Sequence, residues 1–374
     1  MRRRDFLPGA AAAGASAAAP GGPARGYFRI GRRRGGGWCF VTPAGEPFFS
    51  IAMNHIDSAT LRYAENADIW RARYHNSERR WIEESVSVNL RKWGFNSIGW
   101  VQEVVIRTPS IHRHSRNWSY EHYQWLAMPY CHLLPFAETH QWDVETRLPD
   151  FFSRDFEEWC DYVARDSCQR MADDPKLIGY FYVDCPVWVH GGLAKWRGPL
   201  FDPKKLESES GRQELRALAT RYYQVTHDAI RRYDRNHLIL GDRYEARQPV
   251  PVEVLEAARP YVDVLSFQDF AGPAQVTADL KRFHELTGKP VLLADAAVPE
   301  RRTARGAELG KRYAGMIRAL RELPPCVGWH VCGAYLANRS RNYGFLDEKE
   351  EGDPDFLREV AAANAATAAF MRRP

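Results

Sequence analysis

Eight short apolar runs recur along this sequence, most of them followed by a longer segment of helical period, and that alternation constrains the fold more than any other feature. The runs lie at 49–54, 97–101, 130–136, 178–184, 237–242, 262–268, 290–295 and 327–332. A strand buried on both faces reads as a nearly continuous apolar run, and consecutive strands lie parallel only when a crossover, usually a helix, joins them. Eight such βα units predict an α/β fold, the closed (β/α)8 barrel. Between the runs, residues 80–93 place Trp81, Val88 and Trp93 on one face, with Gly94 as the stop. Residues 214–233 carry Leu215, Leu218, Tyr222, Val225, Ile230 and Tyr233 at helical spacing, and 312–323 carry Tyr313, Met316, Ile317 and Leu320.

The remainder of the 374 residues fits one domain of this type, because no interior linker is rich enough in Pro, Gly or Ser to divide the chain. The barrel is expected over 49–374. Ahead of it, strand-like pieces at 27–30, 38–41 and 47–49, separated by Gly-rich and Pro-Ala-Gly turns, predict a β-hairpin over 26–48 that plugs one end. Residues 1–25 read as an export signal: Arg3-Arg4-Asp5-Phe6-Leu7 has the twin-arginine pattern, and small residues suited to a signal peptidase follow. The expected destination is the periplasm or beyond. Arg2, Arg3, Arg4 and Arg25 against Asp5 supply +3 of the formal charge of +5, so a mature chain near +2 gives no case for a nucleic-acid footprint. No long apolar run outside the Ala tracts suits a membrane span. Seven cysteines without a Cys-x-x-Cys pair read as buried thiols.

In such barrels the chemistry sits at the C-terminal strand ends. Those ends hold Asn54-His55, Trp100 to Glu103, Glu138 to Trp142, Asp184, Asp242-Arg243-Tyr244-Glu245, Gln268-Asp269, Asp295 and Trp329-His330. A carboxylate closing a buried strand needs a partner or a task, and several at one barrel height are hard to explain as solvated surface. Trp100, Trp142, Trp188 and Trp329 offer flat faces that stack on sugar rings while carboxylates and amides bind hydroxyls. A carbohydrate is therefore the expected partner, and Asp295-Ala-Ala-Val-Pro lacks the glycines of a phosphate loop. Asp184 and Asp295 face each other across the barrel as the two carboxyl groups that glycoside hydrolysis requires.

Residues 38–55 (WCFVTPAGEPFFSIAMNH) resemble the opening of beta-agarases and related retaining glycoside hydrolases of clan A. So do 93–99 (WGFNSIG), 178–184 (IGYFYVD), 262–267 (VDVLSF), 288–293 (GKPVLL) and 342–347 (NYGFLD), in order over residues 38–347. The resemblance implies a TIM barrel with a glutamate acid/base after an Asn on strand four and a glutamate nucleophile on strand seven. Here those places hold Asp184-Cys185-Pro186 and Asp295, with Asp295 on the nucleophile position and Cys185 on or beside that of the acid/base. Asp184 one residue earlier, Glu138, or Glu245 are the substitutes for the acid; burial beside Phe136 and Trp142 would suit Glu138.

The expectation is thus an exported glycoside hydrolase with Asp184, Asp295 and Glu138 as catalytic candidates and no cofactor. Asn54, His55, Trp100, His140, Trp188, Asp242, Arg243, Tyr244, Gln268, Trp329 and His330 would form the sugar-binding wall. The basic stretch 103–125, with His112, Arg113, His114, Arg116 and Trp118, would cap the cleft over an anionic or sulfated glycan. Two other readings use nearly the same residues. His55, Glu138, His140, Asp184, Asp242 and Asp295 would hold a divalent metal for sugar isomerisation, epimerisation or hydrolysis, although no His-Glu-x-x-His motif occurs. A carbohydrate-binding pseudoenzyme would keep the barrel without the glutamate pair.

Overall fold

A computed structural model of the chain describes residues 26–108, 112–137, 148–189, 202–247, 250–333 and 335–373. Residues 1–25, read above as an export signal, and Glu138, His140 and Trp142 lie outside the described residues. Three short strands come first, β1 (Arg29–Arg32), β2 (Trp38–Val41) and β3 (Pro47–Phe48), paired antiparallel in the order β1-β2-β3. The barrel strands are β4 (Ser50–Met53), β5 (Ser97–Ile98), β8 (Tyr130–Leu133), β9 (Leu177–Asp184), β10 (Leu238–Glu245), β11 (Leu265–Gln268), β12 (Val291–Ala296) and β13 (Cys326–Val331). They close in the order β10-β11-β12-β13-β4-β5-β8-β9, every pairing parallel, which is the eight-stranded barrel that the alternation of runs predicts. The antiparallel pair β6 (Val104–Arg107) and β7 (His112–His114) is inserted after β5 and makes a hairpin within the stretch 103–125.

The N-terminal sheet is a plug. Phe28 and Phe40 are buried in one cluster with Ile178, Leu238, Val264, Leu292 and Val327, residues that fill the barrel interior. Outside the strands, the apolar faces of the helices form a second cluster against the barrel wall, in which Leu215 and Tyr222 of the helix Glu209–Tyr233 and Met316 of Gly306–Glu322 are buried. The segment predicted as one helix over 80–93 contains a π-turn at Ile82–Val86, followed by the helix Ser87–Lys92. Each π-turn adds a residue to the turn and rotates the stripe that follows. Val88, expected on the buried face, is consequently 54% exposed, while Ile82, Val86 and Leu90 are buried. Gly94 ends the run at φ +75, as a residue without Cβ allows. All seven cysteines are buried, and no described helix is long and apolar enough to cross a membrane.

Candidate active site

Three neighbouring strands, β12, β13 and β4, send Asp295, Cys332 and His55 to one point of the barrel mouth. Asn54 fixes the carboxylate: its Nδ2 donates to Asp295 Oδ1 and to the Ala294 carbonyl, both at 2.8 Å, while its Oδ1 accepts from Trp100 N at 2.8 Å. Both amide protons and the amide oxygen of Asn54, expected in the sugar wall, are engaged within the protein, where they hold Asp295 in place. Gly99 makes room for this clamp, since a Cβ there would stand 2.3 Å from Asn54 Oδ1 and 2.5 Å from His330 Nδ1. His55 follows with φ +59, a left-handed conformation that turns its ring onto Asp295. Its Nδ1 donates to the Gln102 carbonyl at 2.5 Å, and its Nε2 lies 3.5 Å from Asp295 Oδ1.

Arg243 sits beneath, fully buried, between the two predicted catalytic aspartates. Its Nε donates to Asp184 Oδ1 at 2.8 Å, its Nη2 is 3.9 Å from Asp295 Oδ2, and its guanidinium lies 4.2 Å over the ring of Trp100. Gln268 Nε2 adds a donor to Asp184 Oδ1 at 3.2 Å. Two donors on one oxygen stabilise a carboxylate, not the carboxylic acid that a proton donor must be. Burial opposes ionisation of Asp295, but Arg243, His55 and the Asn54 amide outweigh it and hold the group well below the usual carboxylate range. Burial and Arg341 oppose a charge on His55; Cys332 and Asp295 outweigh them and push it up to about 10. Glu245 lies on the same face of β10 as Arg243, two residues on. Burial, resisted by the Arg247 N–H and reinforced by Asp269, Asp184 and Asp295, pushes its carboxyl up to about 7.

Of these groups His55, Asp184, Gln268 and Asp295 line a cavity of about 500 Å³, together with Phe270, Cys332, Arg341 and Tyr343, with His114 of the β6–β7 hairpin at its edge. A second cavity of about 670 Å³ adjoins it through Arg301, Arg302, Arg341 and Tyr343.

Of the sugar wall expected from the sequence, His55 and Gln268 line this cavity, and several others do not reach it. Asp242 and Tyr244 point outward into the helix layer, where the Tyr222 and Tyr223 hydroxyls donate to Asp242 at 3.0 and 2.6 Å and Tyr223 also bonds Tyr244. Trp188 packs there against Phe151, Tyr222 and Tyr223. Trp329 packs on Tyr313 of the outer helix, and its Nε1 donates to the Ala296 carbonyl at 3.1 Å. His330 points into the barrel, bonded to Ser50 Oγ at 2.9 Å; burial and Arg243 hold it down to about 3, hence neutral. Trp100 and Arg243 form the buried floor, not the wall. Among the described residues, the rings of Phe270 and Tyr343 line the cavity and can offer stacking faces.

The sequence reading missed Cys332 and Arg341. Cys332 follows the last barrel strand, two residues past His330, and so occupies a strand-end position that apolar neighbours disguise. Arg341 donates from Nε to Glu103 Oε1 at 2.6 Å and from Nη1 to Cys332 Sγ at 3.3 Å.

A parallel eight-stranded barrel with its polar groups gathered at the C-terminal mouth defines an enzyme-type (β/α)8 fold. Among solved structures the fold is similar to that of agarases. An agarase superposes with a TM-score of 0.70 at 18% identity, covering 94% of this chain and 65% of that one. An exo-beta-agarase gives 0.69 at 17% identity, covering 93% and 66%. A Bacteroides uniformis beta-glucuronidase gives 0.57 at 13% identity, covering 90% and 37%. The chain thus spans about two thirds of the length of these two agarases. No protein-family model and no curated protein matches the sequence.

Proposed function

We propose that this chain is an exported glycoside hydrolase that cleaves glycosidic bonds of a polysaccharide or oligosaccharide between two carboxyl groups. One observation carries the reading: a single barrel mouth holds Asp295 ionised by Arg243 and His55 and, on β10, Glu245 with a proton that leaves only near pH 7. Pairs of carboxyl groups driven apart in this way divide the labour of acid and base. Asp295 acts as nucleophile or as base for water, and protonated Glu245 donates to the leaving oxygen. Asp184, the first choice for the acid from sequence, is occupied by Arg243 and Gln268, and its role becomes that of countercharge. His55 and Gln268 meet hydroxyl groups, and Phe270 or Tyr343 supports a ring face. The basic groups His114, Arg301 and Arg302 around the cavity suit an anionic glycan. The likeness of the barrel to agarases and the twin-arginine pattern of residues 3–7 support the hydrolase reading and the export route.

The test is hydrolysis of a panel of neutral and acidic polysaccharides and aryl glycosides by residues 26–374, with Glu245→Gln and a chelator arm alongside. Activity is expected to survive chelation and to fall as pH rises through about 7, where Glu245 loses its proton. Glu245→Gln should lower turnover roughly a hundredfold or more on substrates with poor leaving groups and little on activated aryl glycosides. Equal losses on both substrate types would remove Glu245 from the acid's role.

A further inference from the structure

We propose that His55, Asp295 and Cys332 form a binding site for a thiophilic divalent cation, Zn²⁺ above all, and that its occupancy switches the hydrolase off. One ligand atom from each residue, imidazole nitrogen, carboxylate oxygen and thiol sulfur, lies within 4.8 Å of the others, and all three residues are buried. A tetrahedral zinc site with bonds of about 2.0–2.3 Å needs ligand atoms roughly 3.3–3.7 Å apart, so small side-chain movements close the set around an ion.

Three independent features aim the group at a cation. The Gln102 carbonyl can only accept, so it fixes the His55 proton on Nδ1. An ion displaces the Nε2 proton, and the lone pair it frees faces Asp295; Nε2 lies 3.5 Å from Asp295 Oδ1 and is buried without a hydrogen-bond partner. A backbone carbonyl behind a ligating imidazole is the usual way of setting its tautomer. The second feature is charge. Arg243 is hydrogen-bonded to Asp184 and Arg341 to Glu103, with Asp295 at the longer distance of 3.9 Å from Arg243, so an ion would be balanced by the Asp295 carboxylate and by the Cys332 sulfur, whose proton it displaces. Arg341 Nη1, 3.3 Å from Cys332 Sγ, supports the thiolate as an outer donor. The third is access: all three residues line the cavity, so a fourth coordination position opens to water. A nitrogen, oxygen and sulfur set of this kind suits Zn²⁺ and excludes Mg²⁺ or Ca²⁺, which take oxygen.

The ion would take the Asp295 electron pair that hydrolysis needs. This regulatory half rests on the function proposed above; the binding half does not. Zinc binding is measured on the mature protein by equilibrium dialysis and titration calorimetry, and Co²⁺ is used as a probe whose thiolate-to-metal absorption reports a cysteine ligand. One ion per chain, a cobalt band and a rise in melting temperature with zinc are expected. Cys332→Ser and His55→Asn, the latter chosen because Asn tolerates the left-handed backbone, should each weaken binding at least about tenfold. Cys160→Ala, in the helix Arg154–Met171, should change neither binding nor band. A wild-type chain that binds no ion, with His55 simply protonated against Asp295, overturns the site, as does unaltered binding by Cys332→Ser. The melting shift of the wild type decides the matter even if a variant misfolds. Hydrolysis inhibited by zinc and restored by chelator supports the switch, whereas zinc-bound enzyme of undiminished or zinc-dependent activity overturns it. Zinc binding in a chain that hydrolyses nothing leaves the site standing and sinks the function.

Discussion

Asp242 and Asp295 are both buried aspartates near the C-terminal ends of barrel strands, and their environments drive them in opposite directions. Asp242 faces the helices, where the hydroxyls of Tyr222 and Tyr223 and the Val183 N–H are its partners. Burial dominates there, the hydrogen bonds recover part of the loss, and the carboxyl rises from the ordinary 3.8 to about 6. Asp295 faces the mouth, where Arg243 and His55 reverse the sign of the shift. Burial by itself therefore says nothing of ionisation; what decides is whether a cation shares the site. Neutral partners hold a protein layer together, and charged ones keep a carboxylate ready to react.

The comparison breaks most sharply at Asp295. Asp295→Asn keeps the shape and the Asn54 contact but removes the charge, and hydrolysis should fall roughly a thousandfold or more. Asp242→Asn should leave kcat/KM within about twofold, because nothing on the outer face meets substrate. Comparable losses in the two variants would show that the inward and outward positions had been assigned the wrong way round.

The eight strands were legible because parallel strands buried on both faces leave continuous apolar runs, and each run did become a strand to within a few residues. Which side chains face the mouth was not legible, because period-two alternation fails where a bulge intervenes. On β10, Leu238 and Leu240 face the barrel interior, so alternation would put Asp242 and Tyr244 inside as well. The register with β9 shifts on both sides of Gly241, whose φ is +65, and parity inverts. Arg243 and Glu245 turn in; Asp242 and Tyr244 turn out. Irregular register between β12 and β13 has the same effect near Asp295 and Trp329. A strand that runs to Glu245 instead of ending at 242 compounded the error. Glycine at 241 was the one local signal, since a lone glycine inside a strand marks a bulge.

Arg243→Met tests the cation itself. Methionine fills much of the volume but takes the buried guanidinium away from Asp184 and Asp295, at a cost of about 3–5 kcal/mol in urea unfolding. Asp295, ionised only because Arg243 and His55 outweigh burial, contributes stability above the unfolded carboxylate range, and that contribution is lost as pH falls through its depressed folded value. Without the guanidinium that loss should begin at higher pH, and the acid limb of any remaining activity should move up with it. An unfolding free energy equal to the wild type's would contradict the ion-pair geometry.

Asp242 gives the opposite dependence. Its folded value is raised, so the proton is bound more tightly in the native state, and stability falls as pH rises from about 3.8 to about 6. The penalty is complete above that window and is about 3 kcal/mol for a shift of this size. Asn has no such titration, and Tyr223, whose hydroxyl can accept as well as donate, tolerates the amide. Relative to wild type, Asp242→Asn should therefore gain stability across pH 4 to 6. A difference between the two chains that stays flat over that range would mean that Asp242 is not desolvated as the structure shows.

The smallest effect is expected at Trp329, and it separates a packing residue from a sugar platform. The indole is fully buried, its ring lies 4.8 Å from that of Tyr313, and Nε1 donates to the Ala296 carbonyl. Trp329→Phe keeps an aromatic ring against Tyr313 and loses one hydrogen bond, but the carbonyl is not orphaned, because Cys332 N also donates to it at 2.9 Å. The cost should be about 1–2 kcal/mol, from the lost bond and the smaller ring. KM and kcat should stay within about twofold of wild type, since the substituted atoms face the helix layer. A tryptophan that stacked on sugar would instead raise KM by an order of magnitude or more, at about 1.4 kcal/mol for each tenfold. A large KM effect with little change in stability would place Trp329 in the mouth and would require β13 to be read one residue out of its present register.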